Sequence, residues 1–452
     1  MIVKNEAPVL ARCLRSVHSV VDEIIIVDTG SVDSTIEVAE GFGPLIIRSG
    51  WKDDFSYSRN LSIQEASGEW ILWLDADDVA PAESLPVISA LKQEQPDKVF
   101  GFIVRNEKPG KTGTEFVQAR MFPNRPDIYF ERRIHEQMMF SALRAGLRLV
   151  ETKAIIEHHG YADPAAMGRK ARRNLRLLLD DYEDYGPDAV MAVEIADSYS
   201  IAGDTLRARQ WYEKTLALPE CEAMFPHIAS QAYLGLGAIL NKDNRHFEAI
   251  QQLQNALRLS PGRVDALFSL GVAYDLCGRN NEAIDCFYTI IRAPSAPLMV
   301  GIDFREARIK SLLRLERLLV ESGRDGELLT IAREALAQWS HRPEMLNMAG
   351  RAFVRGNMLM EALHAFEKSL KIDVANNIDA YIGLCRIYAL ACKNETARQT
   401  IGAIRPLYWH VPRYWALYRQ VMGDLPESEV PDGVVRGEID KEEAAIRRMF
   451  PS

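Results

Sequence analysis

The run Leu72-Trp73-Leu74-Asp75-Ala76-Asp77-Asp78 carries the densest chemistry in the chain. An apolar strand that runs into Asp-x-Asp places carboxylates at a strand end, where they can hold a hard divalent cation through oxygen. Such a cation would bridge the two phosphates of a nucleotide diphosphate. Asp75 and Asp77 form the motif, and Asp78 is the weaker candidate beside them. An isolated Asp-x-Asp is no more than an acidic turn, so its meaning depends on the elements around it.

From residue 1 to about 160, short apolar runs alternate with helical stretches, the pattern of an α/β domain. Glu23 to Val27 (EIIIV) is a β-branched run closed by Asp28. Trp70 to Leu74 (WILWL) is closed by Asp75, and Lys98 to Arg105 (KVFGFIVR) reads as another strand. Ligands of open α/β sheets gather at the carboxyl ends of strands, so Asp28 and Asp75 are expected to share one crevice.

From about residue 190 the grammar changes to small and aromatic residues at helical spacing. Gly237, Ala249, Leu253 and Ala256 recur 34 positions later as Gly271, Ala283, Phe287 and Ile290, which is the tetratricopeptide period. Ala208 and Tyr212 belong to an earlier unit, and Phe353, Ala362, Phe366, Tyr388 and Ala397 to later ones. Four clear units and a degenerate one around residues 305 to 337 are expected to stack into a superhelix whose concave face binds peptide or protein. The expected layout is an α/β domain over 1–162, a linker helix within 163–188, repeats over 189–422 and a loosely ordered tail over 423–452, with a short helix near Lys441 to Phe450. The linker helix, Asp163 to Asp180, carries Arg169, Lys170, Arg172, Arg173 and Arg176, either a solvated basic face or a contact to a diphosphate or anionic acceptor.

Composition narrows the function classes. The 452 residues carry a formal net charge of -9, which argues against wrapping nucleic acid, since phosphate contacts need a surplus of Lys and Arg. The six cysteines are scattered, with no CxxC pair and no zinc-type spacing, so a reducing cytoplasm is the expected setting. No apolar run reaches the roughly 18 residues of a membrane span. Gly110-Lys111-Thr112 resembles the end of a P-loop, but Arg105 stands where that motif needs its first Gly. A GxGxxG fingerprint after a strand is also lacking.

The chain resembles family 2 glycosyltransferases of the GT-A fold, in the bacterial branch that carries tetratricopeptide repeats. The resemblance rests on Met1-Ile2-Val3-Lys4-Asn5-Glu6, on Val21 to Thr35 (VDEIIIVDTGSVDST), on Asp54-Phe55-Ser56 with Arg59-Asn60, and on Gly68 to Asp77 (GEWILWLDAD). Ile134-His135-Glu136-Gln137 and Ile156 to Tyr161 (IEHHGY) also match. The implied architecture is a Rossmann-like, mostly parallel α/β domain followed by an all-α superhelix. The implied nucleotide-sugar site is formed by Val3, Asn5 and Glu6 at the base and ribose, Asp28 on the base, Arg59 on base or diphosphate, and Asp75 near ribose and metal. Asp77 is the implied direct ligand of manganese or magnesium, and His158 completes its shell. Glu136, with His135 beside it, is the implied base that takes the acceptor's proton. His158 and His159 are neighbours on a strand and point to opposite faces, so only one of them ligates easily.

The expected reaction is inverting, metal-dependent transfer of a sugar from a nucleotide-diphosphate sugar to an acceptor, with a protein or peptide as the first choice and the repeats recognising it or holding a homo-oligomer together. A nucleotidyltransferase shares the fold class and paired carboxylates, but Lys4-Asn5-Glu6-Ala7-Pro8 replaces its Gly-rich loop. A repeat scaffold that binds a nucleotide sugar without turnover is the rival from another class.

Overall fold

A computed structural model describes residues 1–108, 111–159, 164–219, 221–293, 304–426, 429–431 and 433–450. Gly110, Gly160, Tyr161 and Asp163 lie outside the described residues, as do the side chains of Lys111, Thr112, Arg169 and Lys170.

The chain opens with three parallel strands, β1 (Ile2–Val3), β2 (Ile25–Asp28) and β3 (Leu45–Arg48), connected through α1 (Ala7–Val17) and α2 (Thr35–Glu40). The β2 residues are all buried, which is why they read as a continuous apolar run rather than an alternation. The register sets Val3 opposite Asp28. Helix α3 (Phe55–Gln64) follows, its first turn capped by Asp54, which accepts the Tyr57 N–H at 2.8 Å.

A second sheet is built from β4 (Trp70–Leu72), β5 (Asp78–Val79), β6 (Lys98–Lys108), β7 (Lys111–Pro123) and β8 (Arg148–His158), with α4 (Leu85–Leu91) and α5 (Met139–Arg144) between them. Its order is β4-β7-β6-β8-β5. Only β6 and β8 pair in parallel, and the β4–β7, β6–β7 and β5–β8 pairs are antiparallel. The domain thus joins a parallel sheet to a mixed one, a distinction that apolar runs alone do not encode. Helix α1 serves both: Val9, Leu10 and Leu14 pack with Val3 and Ile26, while Cys13 and Val17 join Phe100, Phe102 and Ile156.

The remaining described chain is helical. Helix α6 (Pro164–Tyr185) leads to α7 (Ala189–Ile201), α8 (Thr205–Leu216), α9 (Cys221–Met224), α10 (Pro226–Lys242), α11 (His246–Leu259) and α12 (Val264–Leu276). These are followed by α13 (Asn280–Arg292), α14 (Phe304–Glu321), α15 (Asp325–Trp339), α16 (Pro343–Arg355), α17 (Leu359–Ile372), α18 (Ile378–Leu390), α19 (Asn394–Tyr408), α20 (Pro412–Met422) and α21 (Arg436–Met449). The small and aromatic slots have a steric cause. A Cβ added at Gly350 on α16 or Gly383 on α18 would lie 2.5 or 2.3 Å from the Phe366 ring of α17, so the ring fits only because both positions lack a side chain. Gly235 on α10 makes the same room for Tyr212 of α8, at 2.2 Å. The stretch expected to be degenerate forms the full helices α14 and α15.

Two compact units emerge, Met1–Cys277 with Ala293–Glu306, and Gly278–Arg292 with Ala307–Ser452. The first therefore contains the α/β portion together with α6 to α12. The tail, expected to be loosely ordered with a short helix near Lys441 to Phe450, carries a longer one, the 14-residue α21. Its composition is acidic and polar, but Ile439 and Ile446 are buried on one face, and Arg419 pairs with Asp440 and Glu443. Among the described residues no helix is long and apolar enough to cross a membrane.

Candidate active site

Where β4 ends, the chain turns through Asp75 to Asp78 and enters β5. The turn is closed by its own carboxylate: the Asp75 N–H donates to Asp78 Oδ2 at 2.9 Å, and the Asp78 N–H donates to the Asp75 carbonyl at 3.1 Å. Ala76 is buried in the cluster formed by Val3 and Ile26, so the acidic turn lies against the first sheet although it belongs to the second. The Cys13 thiol of α1 donates to the Asp75 carbonyl at 3.3 Å.

Asp78 is fully buried and has both oxygens engaged. Arg120 of β7 donates to Oδ2 at 2.8 Å, and His158 Nδ1 lies 2.9 Å from Oδ1. Register separates the two histidines. Asp78 stands directly opposite His158 across the antiparallel β5–β8 pair, and directly opposed residues share a face. His158 Nδ1 also lies 3.5 Å from Asp77 Oδ1, whereas His159 lies by Glu157 and donates its backbone N–H to the Asp77 carbonyl. Asp77, Asp78 and His158 bring ligand atoms within 4.8 Å of one another. Burial pushes the Asp77 carboxyl up, with His158 opposing and Asp75 and Asp78 adding to the rise. The His158 imidazole is raised first by its hydrogen bond with Asp78, against burial.

Arg59 of α3 is the second centre. It is buried, donates from Nη2 to Asp75 Oδ1 at 2.9 Å and from Nε to Glu136 Oε1 at 2.6 Å. Its guanidinium carbon lies 4.3 Å from the centroid of Trp73, and Arg120 lies over the same indole at 4.0 Å. Among the described residues Arg59 Nη1 is buried with no hydrogen-bond partner. Burial alone would raise the Asp75 carboxyl, but the Arg59 and Arg120 charges outweigh it and hold the group at about 2. Burial works against the Arg59 cation, which Glu136 and Asp75 nevertheless stabilise beyond its ordinary range.

The structure therefore unites Arg59, Asp75 and Glu136, and next to them Asp77, Asp78 and His158. Asp78 takes the place in the three-residue cluster expected of Asp75, because Arg59 occupies an Asp75 oxygen while β5 sets Asp78 against His158. His135 is exposed and holds a left-handed backbone, φ 50°. The residues expected at the base and ribose knit the loops beyond β1 and β2 together. Asn5 Oδ1 accepts from the Val32 N–H at 2.8 Å, the Glu6 N–H donates to Thr35 Oγ1, and Asp28 Oδ1 accepts from the Ser31 N–H at 3.0 Å. Val3 is buried beneath them. Arg120 and Trp73 escaped sequence reasoning: an arginine within a strand and a tryptophan beside an acidic motif carry no spacing signal.

Residues 1–155 match the description Glycosyl transferase family 2. A TPR repeat-containing protein of Synechococcus elongatus is 31% identical over 283 residues, covering 61% of this chain and 68% of that protein. The chain belongs to glycosyl transferase family 2. The transferase is also 30% identical over 182 residues to the SPbeta prophage-derived glycosyltransferase SunS of Bacillus subtilis, covering 39% of this chain and 43% of SunS. Among solved structures, a tetratricopeptide repeat protein from Parabacteroides merdae aligns with 58% of this chain and 97% of its own, at 13% identity and a TM-score of 0.43. The transferase thus joins a family 2 domain over residues 1–155 to a run of helices with a 34-residue period.

Proposed function

We propose that this glycosyltransferase moves a sugar, with inversion, from a nucleotide-diphosphate sugar to a protein or peptide acceptor, with manganese or magnesium held at the acidic turn. The observation that carries the reading is the convergence of Asp77, Asp78 and His158 beside the Arg59–Asp75–Glu136 cluster. A carboxylate and an imidazole, with a second carboxylate behind the ring, suit a hard-to-borderline divalent cation. Asp77 and His158 would hold it, the latter through Nε2, since Nδ1 faces Asp78. Asp78, with both oxygens engaged, would orient the ring. When bound, the cation stabilises negative charge on the departing diphosphate.

The chain's own groups supply the rest. The unpartnered Nη1 of Arg59 is a buried donor suited to an anionic oxygen of the donor substrate. Arg59 binds Oε1 of Glu136, and the other oxygen would take the acceptor's proton as the nucleophile attacks the anomeric carbon. Attack opposite the leaving group inverts that centre. Asp28, Asn5 and Glu6 edge the first sheet, where base and ribose would lie, and the repeats offer the surface for a polypeptide acceptor. The test is nucleoside diphosphate release from UDP-glucose, UDP-N-acetylglucosamine and GDP-mannose, with manganese or with chelator, in wild type and Asp77→Ala. Release with at least one donor, lost on chelation and in the variant, is expected. Undiminished release by folded Asp77→Ala would remove the cation site from the reading.

A further inference from the structure

The family 2 match ends at residue 155, but the loop that presents Glu136 is completed by residues beyond it. Arg132 and His135 hold left-handed backbone, φ 77° and 50°, conformations that residues with a Cβ keep only when their surroundings impose them. Part of that imposition comes from α3: the Phe55 N–H donates to the Arg133 carbonyl at 2.8 Å, and Ser56 Oγ donates to the Arg132 carbonyl. The rest comes from the helical half. Asp181 of α6 is fully buried, and its Oδ2 accepts the Arg133 N–H at 2.8 Å. Asp184 pairs with the Arg133 guanidinium, and Asp188, the cap of α7, pairs with Arg132 at 3.2 Å. Ile134 is buried among Leu177 and Leu178 of α6 and Met191, Ala192 and Ile195 of α7.

We propose that Asp181 is a positioning residue for sugar transfer, holding the 132–137 loop so that Glu136 meets Arg59, and that α6 and α7 are therefore part of the catalytic site as well as the start of the repeats. The buried Asp181 carboxylate anchors the backbone at Arg133, between the two left-handed residues, and the second of these, His135, directly precedes Glu136. The catalytic consequence rests on the reading of Glu136 as the acceptor's base; the structural one does not.

The test uses the full chain and three variants, Asp181→Ala, Asp181→Asn and Glu136→Gln. Asn keeps an oxygen acceptor for the Arg133 N–H, whereas Ala removes it. Amide hydrogen exchange of the peptide spanning residues 131–137 should quicken at least tenfold in Asp181→Ala, stay near wild type in Asp181→Asn, and leave the β6 and β7 peptides unchanged. With manganese and whichever of UDP-glucose, UDP-N-acetylglucosamine or GDP-mannose is turned over, kcat should fall at least tenfold in Asp181→Ala, with KM for the donor within twofold and Asp181→Asn restoring it. Unchanged loop exchange in Asp181→Ala overturns the proposal. So does a loosened loop with undiminished kcat when Glu136→Gln is inactive. Full turnover by Glu136→Gln instead defeats the base reading, and loop exchange then decides by itself whether Asp181 holds the loop. If Asp181→Ala does not fold, the exposed Asp184→Ala is read the same way, with at least a threefold rise in exchange expected and no rise overturning the proposal.

Discussion

Arg59 in the first compact unit and Arg351 in the second are equally buried, at 6% exposure, and both face carboxylates. They hold them differently. Arg351 of α16 meets Glu316 of α14 fork to fork, Nε to Oε1 at 2.6 Å and Nη2 to Oε2 at 2.7 Å, so each group satisfies the other. Arg59 instead divides its fork between Asp75 and Glu136, one bond to each, and keeps a buried nitrogen without a partner. A closed bidentate pair has little capacity left for a ligand. A divided one leaves carboxylate oxygens and a donor available, at the cost of incomplete satisfaction. The same residue types thus produce a structural tie between helices in one unit and, in the other, a divided cluster that suits the proposed donor substrate.

The largest effect that sharpens this contrast is expected at Glu136. Glu136→Gln keeps an oxygen for Arg59 but cannot take a proton, so transfer should fall by roughly 10²–10⁴-fold, with donor affinity measured by calorimetry nearly unchanged. Equal losses of binding and turnover would make Glu136 a structural residue like Glu316. Next in size is the tie itself: Arg351→Met leaves Glu316 buried without its partner and should destabilise the second unit by about 3–5 kcal/mol, read from denaturant unfolding. Replacing both, Arg351→Met with Glu316→Leu, should recover most of that loss; failure to recover would mean that the pair does more than satisfy itself.

Arg59→Lys keeps the charge but cannot span two carboxylates or stack flat on Trp73. Losing one charge-assisted hydrogen bond should cost ~1.5–3 kcal/mol, appearing chiefly as a raised KM for the donor. A stability loss with unchanged KM would place Arg59 with Arg351 instead. The smallest effect concerns acid. Asp75 is held at about 2 against an ordinary carboxylate value of about 3.9, so its stabilising contribution is complete above that ordinary value and disappears as pH falls from about 4 to 2. The stability difference between wild type and Asp75→Asn should shrink over that window; a difference independent of pH would show that the Arg59 and Arg120 charges do not govern Asp75.

Part of the cluster was legible locally. Asp75 and Asp77 stand out because a strand end followed by carboxylates is a pattern of neighbouring residues, whereas Arg59 and Glu136 were implied only by the family resemblance. The resemblance implied His158, but which of the two histidines faces Asp78 could not be read from spacing. It follows from the antiparallel pairing of β5 with β8, and a shift of one residue would have turned the other histidine inward. Asp78 moved from the weakest of three carboxylates to a buried hub for the same reason, with Arg120 arriving from β7, a strand 42 positions further along. In the tail, acidic composition masked the burial of Ile439 and Ile446, because composition averages over faces whereas packing selects one.

The order of residues by itself determined the alternating α/β beginning, the 34-residue helical period and the acidic strand end, since each is written in apolar runs, helical spacing or its recurrence along the chain. Tertiary structure alone decided which carboxylates meet which cations, and that the loop bearing Glu136 is tied to α6 through Arg133 as well as to α3. Those contacts join segments with no sequence pattern in common, brought together because burying Ile134 against α6 and α7 removes apolar surface from water.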